Sequence, residues 1–340
     1  MGEYNGRINV PKDTMLFVVN DIFNRNVKVN TTKENILKMM PEIYKNTEDK
    51  EIIKMLPYRA YKDLERLIEY IKTSDDIKTF FYKREHPDIR YLEDAMVIVN
   101  RVKYNKYDYF LNPGVIENLK RLFSEENKLI AKRYGEIENL TVGMLYTYGM
   151  VDFEFLRKQL CKYMDEIITE KELRDFYFKR LKLNTFVNDY NIRWGISNET
   201  QDFVTYLDEE LAPIDIGEIA EQQKARGMQY KHFSKQEILK REEYLWNKDT
   251  QELYDFIKSR NKNIYEWQFK RLLKENELGI GIFDNLLSLC VFEDEFEVQR
   301  FLNLVMDWYN NSPQYMLGGY SPNEFRKVWR WNIWLPCLKL

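Results

Sequence analysis

A series of amphipathic helical segments, each opened by a helix-capping signal, constrains the fold of this chain most strongly. One helix face is marked by apolar residues at 3.6-residue spacing, namely Tyr61, Leu64, Leu67, Ile68 and Ile71. In a capping box, a Ser or Thr and a Glu three residues later satisfy each other's backbone amides. Such boxes begin at Thr31, Thr169, Ser234 and Ser321. The chain is therefore predicted to be mainly helical.

Two segments interrupt this pattern with β-branched and aromatic residues. Residues 97–111 read V-I-V-N-R-V-K-Y-N-K-Y-D-Y-F-L, with a polar turn near Asn105. Residues 186–207 contain two strand-like runs around a turn at Gly195–Asn198. Both segments are typical of β-hairpins. Because each follows predicted helices, we predict a mainly α fold with small β-hairpins, built from tandem winged-helix-like units followed by a C-terminal helical domain.

This order predicts three domains. They are an N-terminal helical or winged-helix-like domain (1–126), a winged helix-turn-helix-like domain (127–212) and a C-terminal helical domain (213–340). The best linker candidate is the segment 213–227, which is bounded by proline and glycine. In the last domain, one helix is marked by Trp267, Phe269, Leu272 and Leu273, and another by Phe296, Phe301, Leu302, Val305 and Trp308.

Charge composition limits a nucleic-acid role to a local surface. The chain has 52 basic and 55 acidic side chains and a net charge of −3. Proteins that coat nucleic acid usually carry a basic excess, because phosphate neutralisation dominates their affinity. Any contact with nucleic acid must therefore depend on one basic face.

The third helix of the second winged-helix-like unit is the candidate for that face. In a helix-turn-helix, this helix enters the major groove and its exposed basic residues reach bases and phosphates. The candidate nucleic-acid-binding residues are Lys171, Arg174, Lys179 and Arg180 on the helix, with Arg193 and Trp194 on the wing. Residues 169–195 contain six basic and four acidic side chains. This small excess leaves open that the unit docks a protein or is purely structural.

The segment 320–340 is a second candidate for binding. Its tryptophans, Trp329, Trp331 and Trp334, alternate with basic residues, a pattern that suits single-stranded nucleic acid or an anionic surface. Aromatic rings in such a position also pack over a domain core or a partner protein. The candidate partner-binding residues are Arg326, Arg330, Trp331 and Trp334.

Signals for catalysis are weak. The chain has two histidines and three cysteines, and no cysteine pair has the short spacing of a zinc knuckle or a redox dithiol. It also lacks a G-x-x-x-x-G-K-S/T phosphate loop. We expect no metal or cofactor and predict Cys161 and Cys290 to be core residues. Asp294 fits a helix entry, although a nuclease that uses carboxylates and a metal remains a third alternative.

The sequence favours a cytoplasmic protein that does not enter a membrane. The first residues lack the charged-then-apolar layout of a secretion signal. The most apolar run, residues 282–292, contains Asp284 and is too short to span a bilayer. Cysteines without a disulfide pattern fit a reducing compartment.

The segment 308–325 carries a resemblance to a known group of proteins. Its sequence, W-Y-N-N-S-P-Q-Y-M-L-G-G-Y-S-P-N-E-F, resembles a motif found in uncharacterised plasmid and prophage-type proteins of low-GC Gram-positive bacteria. The segments 148–156 and 232–239 are similar to theirs in kind. Some of these proteins end in a cysteine-rich SEC-C metal-binding motif. This chain has only Cys337 there, so metal binding is not carried over.

These observations together predict a non-enzymatic regulatory binding protein. The resemblance and the basic helix favour a DNA-binding regulator of a mobile element, with duplex DNA as its partner. The alternative is a protein-interaction adaptor or inhibitor, in which the winged helices are structural frames and a protein is the partner.

Overall fold

A computed structural model of the chain shows a mainly helical protein with two small antiparallel sheets, as the sequence predicts. It describes residues 7–73, 80, 89–103, 106–182, 193–196, 203–207, 220, 221, 223–225, 227, 229–240, 246–275 and 282–328. In this part of the chain, no helix is both long enough and apolar enough to cross a membrane.

The helices and strands follow one another in this order: β1 (Arg7–Ile8), α1 (Lys12–Phe17), α2 (Lys33–Lys45), α3 (Asp49–Met55), α4 (Tyr58–Tyr70), α5 (Ile89–Asp94), β2 (Ile98–Lys103), β3 (Lys106–Leu111), α6 (Pro113–Leu119), α7 (Glu125–Tyr148), β4 (Met150–Asp152), α8 (Phe153–Met164), α9 (Glu170–Lys182), β5 (Arg193–Ile196), β6 (Phe203–Leu207), α10 (Lys235–Lys240), α11 (Lys248–Arg260), α12 (Glu266–Glu275), α13 (Ile282–Leu287), α14 (Glu295–Asn311) and α15 (Pro322–Val328). A π-helical turn follows α1, and short 3-10 turns precede α7 and α15.

Local capping chemistry sets most of the predicted helix starts. The backbone N of Ser234 donates to Glu237 Oε2 at 2.7 Å, and Glu237 N donates to Ser234 Oγ at 3.2 Å, which completes the predicted box. Ser321 and Glu324 form the same pair of bonds before α15. The box predicted at Thr31 is displaced by one residue, because Thr32 Oγ1 accepts the bond from Asn35 N.

The chain divides into two compact units. The first contains residues 1–139 and 167–193, and the second contains residues 140–166 and 194–340. The three predicted domains, with boundaries after residues 126 and 212, stay a prediction. Helices α8 and α9, which were predicted to share one winged-helix unit, belong to different units. The tandem winged-helix arrangement therefore stays a prediction.

In the first unit, a three-stranded antiparallel sheet has the order β1-β2-β3. Strands β2 and β3 pair from Ile98 opposite Leu111 to Lys103 opposite Lys106, which confirms the predicted hairpin strands. The turn predicted near Asn105 lies outside the described residues. Buried tyrosines join helices to distant backbone: Tyr44 Oη donates to Ala95 O at 2.8 Å. This bond satisfies a buried hydroxyl that would otherwise cost stability.

In the second unit, a small sheet has the order β4-β6-β5. Strand β4 pairs with β6 in antiparallel register, with Met150 opposite Thr205. Helix α7 ends at Tyr148, because Gly149 adopts a φ of +68° and turns the chain into β4. A Cβ at this glycine would lie 2.4 Å from the ring of Tyr315. The tight fit between turn and ring therefore requires glycine.

The C-terminal helices of the second unit form a separate apolar core. Its fully buried side chains include Leu253, Ile257, Phe269, Leu286, Phe301 and Val305. Leu289, Cys290 and Phe292 pack partly buried against it. In the predicted linker 213–227, Ala220 and Gln223 are buried, whereas Glu221, Lys224, Ala225 and Gly227 are exposed.

Candidate functional site

Helix α9 carries four of the predicted nucleic-acid-binding residues, and two of them face solvent. Lys171 is exposed. The side chain of Arg174 is 38% exposed, and its Nε donates to Glu170 Oε1 at 2.7 Å. Glu170 lies one helical turn before Arg174, so the pair forms within the helix and neutralises part of the positive charge on this face.

Lys179 lies instead in a buried charge cluster that joins α9 to α3. Lys54 Nζ is 2.7 Å from Glu51 Oε1 and 2.5 Å from Asp175 Oδ2. Lys179 Nζ contacts Glu51 and lies 3.0 Å from Asp175 Oδ1. Burial lowers the pKa of Lys179 to about 8. The two adjacent carboxylates favour its charged ammonium form at neutral pH.

Arg180 is buried more deeply, at 1% exposure. Its Nη2 lies 3.1 Å from Glu138 Oε2, and its Nη1 donates to Met55 O at 3.3 Å. The guanidinium also lies over the ring of Phe176, 5.1 Å from the centroid. These contacts hold Arg180 inside the first unit.

The prediction that Lys179 and Arg180 are exposed is therefore wrong. Arg180 continues the buried stripe of α9, which contains Leu173, Phe176 and Tyr177 at helical spacing. A charge can occupy such a stripe when a carboxylate from another helix pairs with it. Arg193 and Trp194 lie on β5, but their side chains are outside the described part of the structure. Contact between α9 and DNA stays a prediction.

The resemblance motif at 308–325 forms a structural turn. Gly318 and Gly319 both adopt positive φ, at +60° and +84°, and Gly319 N donates to Gln314 O at 3.0 Å. Lys231 N donates to Gly318 O at 2.9 Å, which ties the turn to the segment before α10. The glycines are needed because a Cβ at Gly318 would lie 2.7 Å from Gln229 O.

A buried hydrogen-bond network supports the same turn. Gln223 Nε2 donates to Met150 O at 3.1 Å and to Tyr315 O at 3.3 Å. Tyr230 Oη donates to Gln223 Oε1 at 2.8 Å and accepts from Asp152 N at 2.9 Å. Gln223 of the predicted linker and Tyr315 of the motif therefore meet in one packed centre, where the side-chain amide of Gln223 is hydrogen-bonded internally.

The predicted partner-binding residues fall largely beyond the described residues. Arg326 is exposed on α15, and its Nη1 donates to Asn323 Oδ1 at 3.3 Å. Arg330, Trp331 and Trp334 lie outside the described part of the chain.

A different surface stands out in the second unit, at the connection between α13 and α14. Leu287, Val291 and Phe296 are 41%, 81% and 86% exposed. Glu293, Asp294 and Glu295 lie between the last two and are also exposed. We call these six residues the acidic apolar surface. Exposed apolar side chains are ordinary when they are scattered singly, whereas here three lie within ten residues of one another in the sequence, together with three carboxylates.

Hydrogen bonds and an ion pair tie this surface to α11 and the residue after it. Asn261 Nδ2 donates to Leu289 O at 3.2 Å. Arg260 pairs with Glu297, whose Oε2 also accepts from Glu293 N at 3.0 Å. Asp294 Oδ1 accepts from Glu297 N at 2.9 Å and caps α14, which confirms the predicted helix entry. A surface fixed in this way loses little conformational freedom when a partner binds.

The charge of the surface is strongly negative. Residues 282–299 contain five acidic side chains and no Lys or Arg. Only Glu297 among them pairs with Arg260 in the bonds just described. A partner with basic side chains would therefore meet a complementary potential.

Two further exposed aromatic side chains lie at the start of α12, one at the end of the α11–α12 connection and one in the first turn of the helix. Tyr265 and Trp267 are each 63% exposed. Their segment follows directly on Asn261, the residue that bonds to Leu289. Tyr and Trp are enriched among the residues that contribute most to protein interfaces.

Sequence reasoning placed Phe296 and Trp267 on helix faces and missed their exposure. Phe296 lies five residues before buried Phe301, which puts it away from the stripe that continues through Val305 and Trp308. The sequence feature that indicates the exposure of Phe296 is the run E-D-E-F-E at 293–297. An aromatic residue surrounded by acids at a helix start is poorly placed to enter a core.

The described residues do not form a metal site, since no three His, Cys, Asp or Glu side chains are grouped to hold an ion. The thiols of Cys161 and Cys290 are half-buried. Burial raises the pKa of Cys290 to about 11, which keeps its sulfur a protonated, unreactive thiol near neutral pH.

Comparisons of the chain with protein-family models, with curated proteins and with solved structures give no match.

Proposed function

We propose that this protein is an interaction protein whose acidic apolar surface binds a basic, apolar segment of a protein partner. The observation that carries the proposal is the exposure of Phe296 at 86% and Val291 at 81%, on a backbone that is tied to α11. Burying a side chain of this size contributes about 1.5–3 kcal/mol. A partner that covers the surface would recover this free energy.

The expected binding mode has two parts. Phe296 and Val291 act as apolar anchors, because large side chains at the centre of an interface contribute most of its affinity. Glu293 and Glu295 attract the basic residues of the partner, speed association and select against acidic partners. The proposal corresponds to the adaptor or inhibitor alternative from the sequence.

Selection from a random peptide library tests the proposal without a known partner. We expect 12-residue peptides displayed on phage and selected on the purified chain to be enriched in Lys, Arg and large apolar residues. Synthetic copies should bind at least tenfold more weakly to the double variant V291S/F296S. The matched control is Leu129→Ser, which removes a 70% exposed apolar side chain from the first unit. Peptides that bind V291S/F296S as tightly as wild type would refute the proposal.

Duplex DNA is the second candidate partner, because Lys171 is exposed and Arg174 is partly exposed on α9. This candidate corresponds to a regulator of a mobile element. Two of the four predicted cations face solvent on α9, and one of them, Arg174, is paired with Glu170, so the expected affinity for DNA is low.

A further inference from the structure

The segment that follows α15 has the chemistry that the acidic apolar surface should bind. Residues 325–340 contain four basic side chains, at 326, 327, 330 and 339, and no acidic ones. Three of the seven tryptophans of the chain are Trp329, Trp331 and Trp334. Positive charge and large rings are thus concentrated in one short stretch, opposite in charge to the run at 293–297.

We propose, building on the function proposed above, that residues 329–340 bind the acidic apolar surface of the same molecule and compete with the protein partner. Trp334 would cover Phe296 and Val291, and Lys339 would face the carboxylates of Glu293 and Glu295. The chain would then alternate between a self-occupied surface and the exposed surface that the structure shows.

The length of the segment permits this contact. Helix α15 packs against α14, and Asn323 Nδ2 donates to Asn311 Oδ1 at 2.9 Å. The 17 residues of α14 separate Asn311 from the surface by about 25 Å at 1.5 Å per residue. An extended chain covers about 3.3–3.6 Å per residue, so Trp334 can lie up to about 20 Å from Val328 and Lys339 up to nearly 40 Å. The last residue of α15, Val328, is 58% exposed, so the chain leaves the helix at a solvent-facing position.

Because residues 329–340 belong to the same molecule as the acidic apolar surface, a weak interaction is sufficient to keep that surface occupied. A short connecting segment gives an effective concentration on the order of millimolar. A contact with an intrinsic dissociation constant of about 0.1 mM would then fill the surface in roughly nine molecules of ten. An external partner must displace the segment, and its apparent affinity is reduced by the fraction of free surface.

A labelled peptide of residues 326–340 tests the proposal in the full-length chain. We expect it to bind the variant W329A/W331A/W334A at least tenfold more tightly than wild type, because the surface of the variant is vacated. Adding V291S/F296S to that variant should remove the binding, whereas adding Leu129→Ser should leave it intact. Raising the salt concentration should weaken it, because charges contribute to the contact.

Several outcomes would overturn the proposal. The first is that the peptide binds wild type and W329A/W331A/W334A equally well. The second is that it still binds after V291S/F296S is added to the tryptophan variant. The third is that it binds none of these proteins. Wild-type dimers that grow with concentration and disappear in both variants would instead show that the segment occupies a second copy. If the peptide fails while library peptides still bind through Phe296, only this inference falls and the proposed function remains.

Discussion

Arg180 and Glu138 form an ion pair in the interior of the first unit, with Arg180 Nη2 3.1 Å from Glu138 Oε2. The side chain of Arg180 is 1% exposed and that of Glu138 is 13% exposed. Within the described residues, neither Nε nor Nη2 of Arg180 has a hydrogen-bond acceptor, so its contact with Glu138 is an attraction between charges without hydrogen-bond geometry. The carboxylate of Glu138 is therefore the main compensation for a guanidinium that has left water.

Removing one partner of this pair should be far more harmful than removing both. We expect Glu138→Leu to lower the free energy of unfolding by about 3–5 kcal/mol, because it leaves a buried charge uncompensated. The double variant E138L/R180M should recover most of the loss. Urea unfolding measures all three proteins. The control is E170A/R174A on the exposed face of α9, for which a change below about 1 kcal/mol is expected. Equal losses in the single and double variants would contradict this account.

Two phenylalanines on α14 should respond oppositely to truncation. Phe301 is fully buried, so Phe301→Ala should lower the free energy of unfolding by about 3–5 kcal/mol. Phe296 is 86% exposed, so Phe296→Ala should change it by less than about 0.5 kcal/mol. Chemical denaturation followed by circular dichroism distinguishes them. A large loss at Phe296 would mean that its ring is buried in solution and that the acidic apolar surface is covered.

Glu172 should make the first unit sensitive to acid. Burial acts to raise the pKa of its carboxyl, but hydrogen bonds from Arg133 and Tyr134 prevail and lower the pKa below its ordinary value. Because the pKa is lower in the folded state, this stabilisation is complete above the unfolded pKa. It is lost as the pH falls through the folded pKa.

Replacing this carboxylate should reduce the decrease in unfolding free energy at acid pH. We expect Glu172→Gln to reduce the stability difference between pH 6 and pH 3, whereas Glu170→Gln at an exposed position serves as the control. Unfolding free energies at four pH values measure the effect. If the loss of stability between pH 6 and pH 3 is the same in Glu172→Gln as in wild type, other carboxylates dominate the acid sensitivity.

Any DNA affinity of α9 should depend weakly on salt. Lys179 and Arg180 are held in internal ion pairs, so that, of the four predicted residues, Lys171 and Arg174 face solvent, and Arg174 would have to exchange its pairing with Glu170 for a phosphate. The slope of log affinity against log salt for two contacts is about −2, compared with about −4 for four contacts. Fluorescence anisotropy with a labelled duplex measures this slope. The variant K171A/R174A should abolish the salt dependence. A slope near −4 would require a different basic face.

Short-range features of the fold were predictable from the sequence alone. The boxes at Ser234–Glu237 and Ser321–Glu324 form as predicted, because both partners lie within one helical turn. Gly149 ends α7, and the strands of the 97–111 hairpin pair as the β-branched pattern indicated. These features depend on backbone preferences and neighbouring side chains, which the sequence displays directly.

The burial of Lys179 and Arg180 was decided only by tertiary structure. Their carboxylate partners, Glu51 and Glu138, lie 128 and 42 positions away in the chain, so local composition suggested an exposed basic face. The same limit applies to Phe296, whose exposure depends on which side of α14 packs on the core. Local patterns determined where helices and strands begin and end. The choice between a buried and an exposed charge or ring depended on partners brought together from distant parts of the chain, because burial is a property of the packed whole.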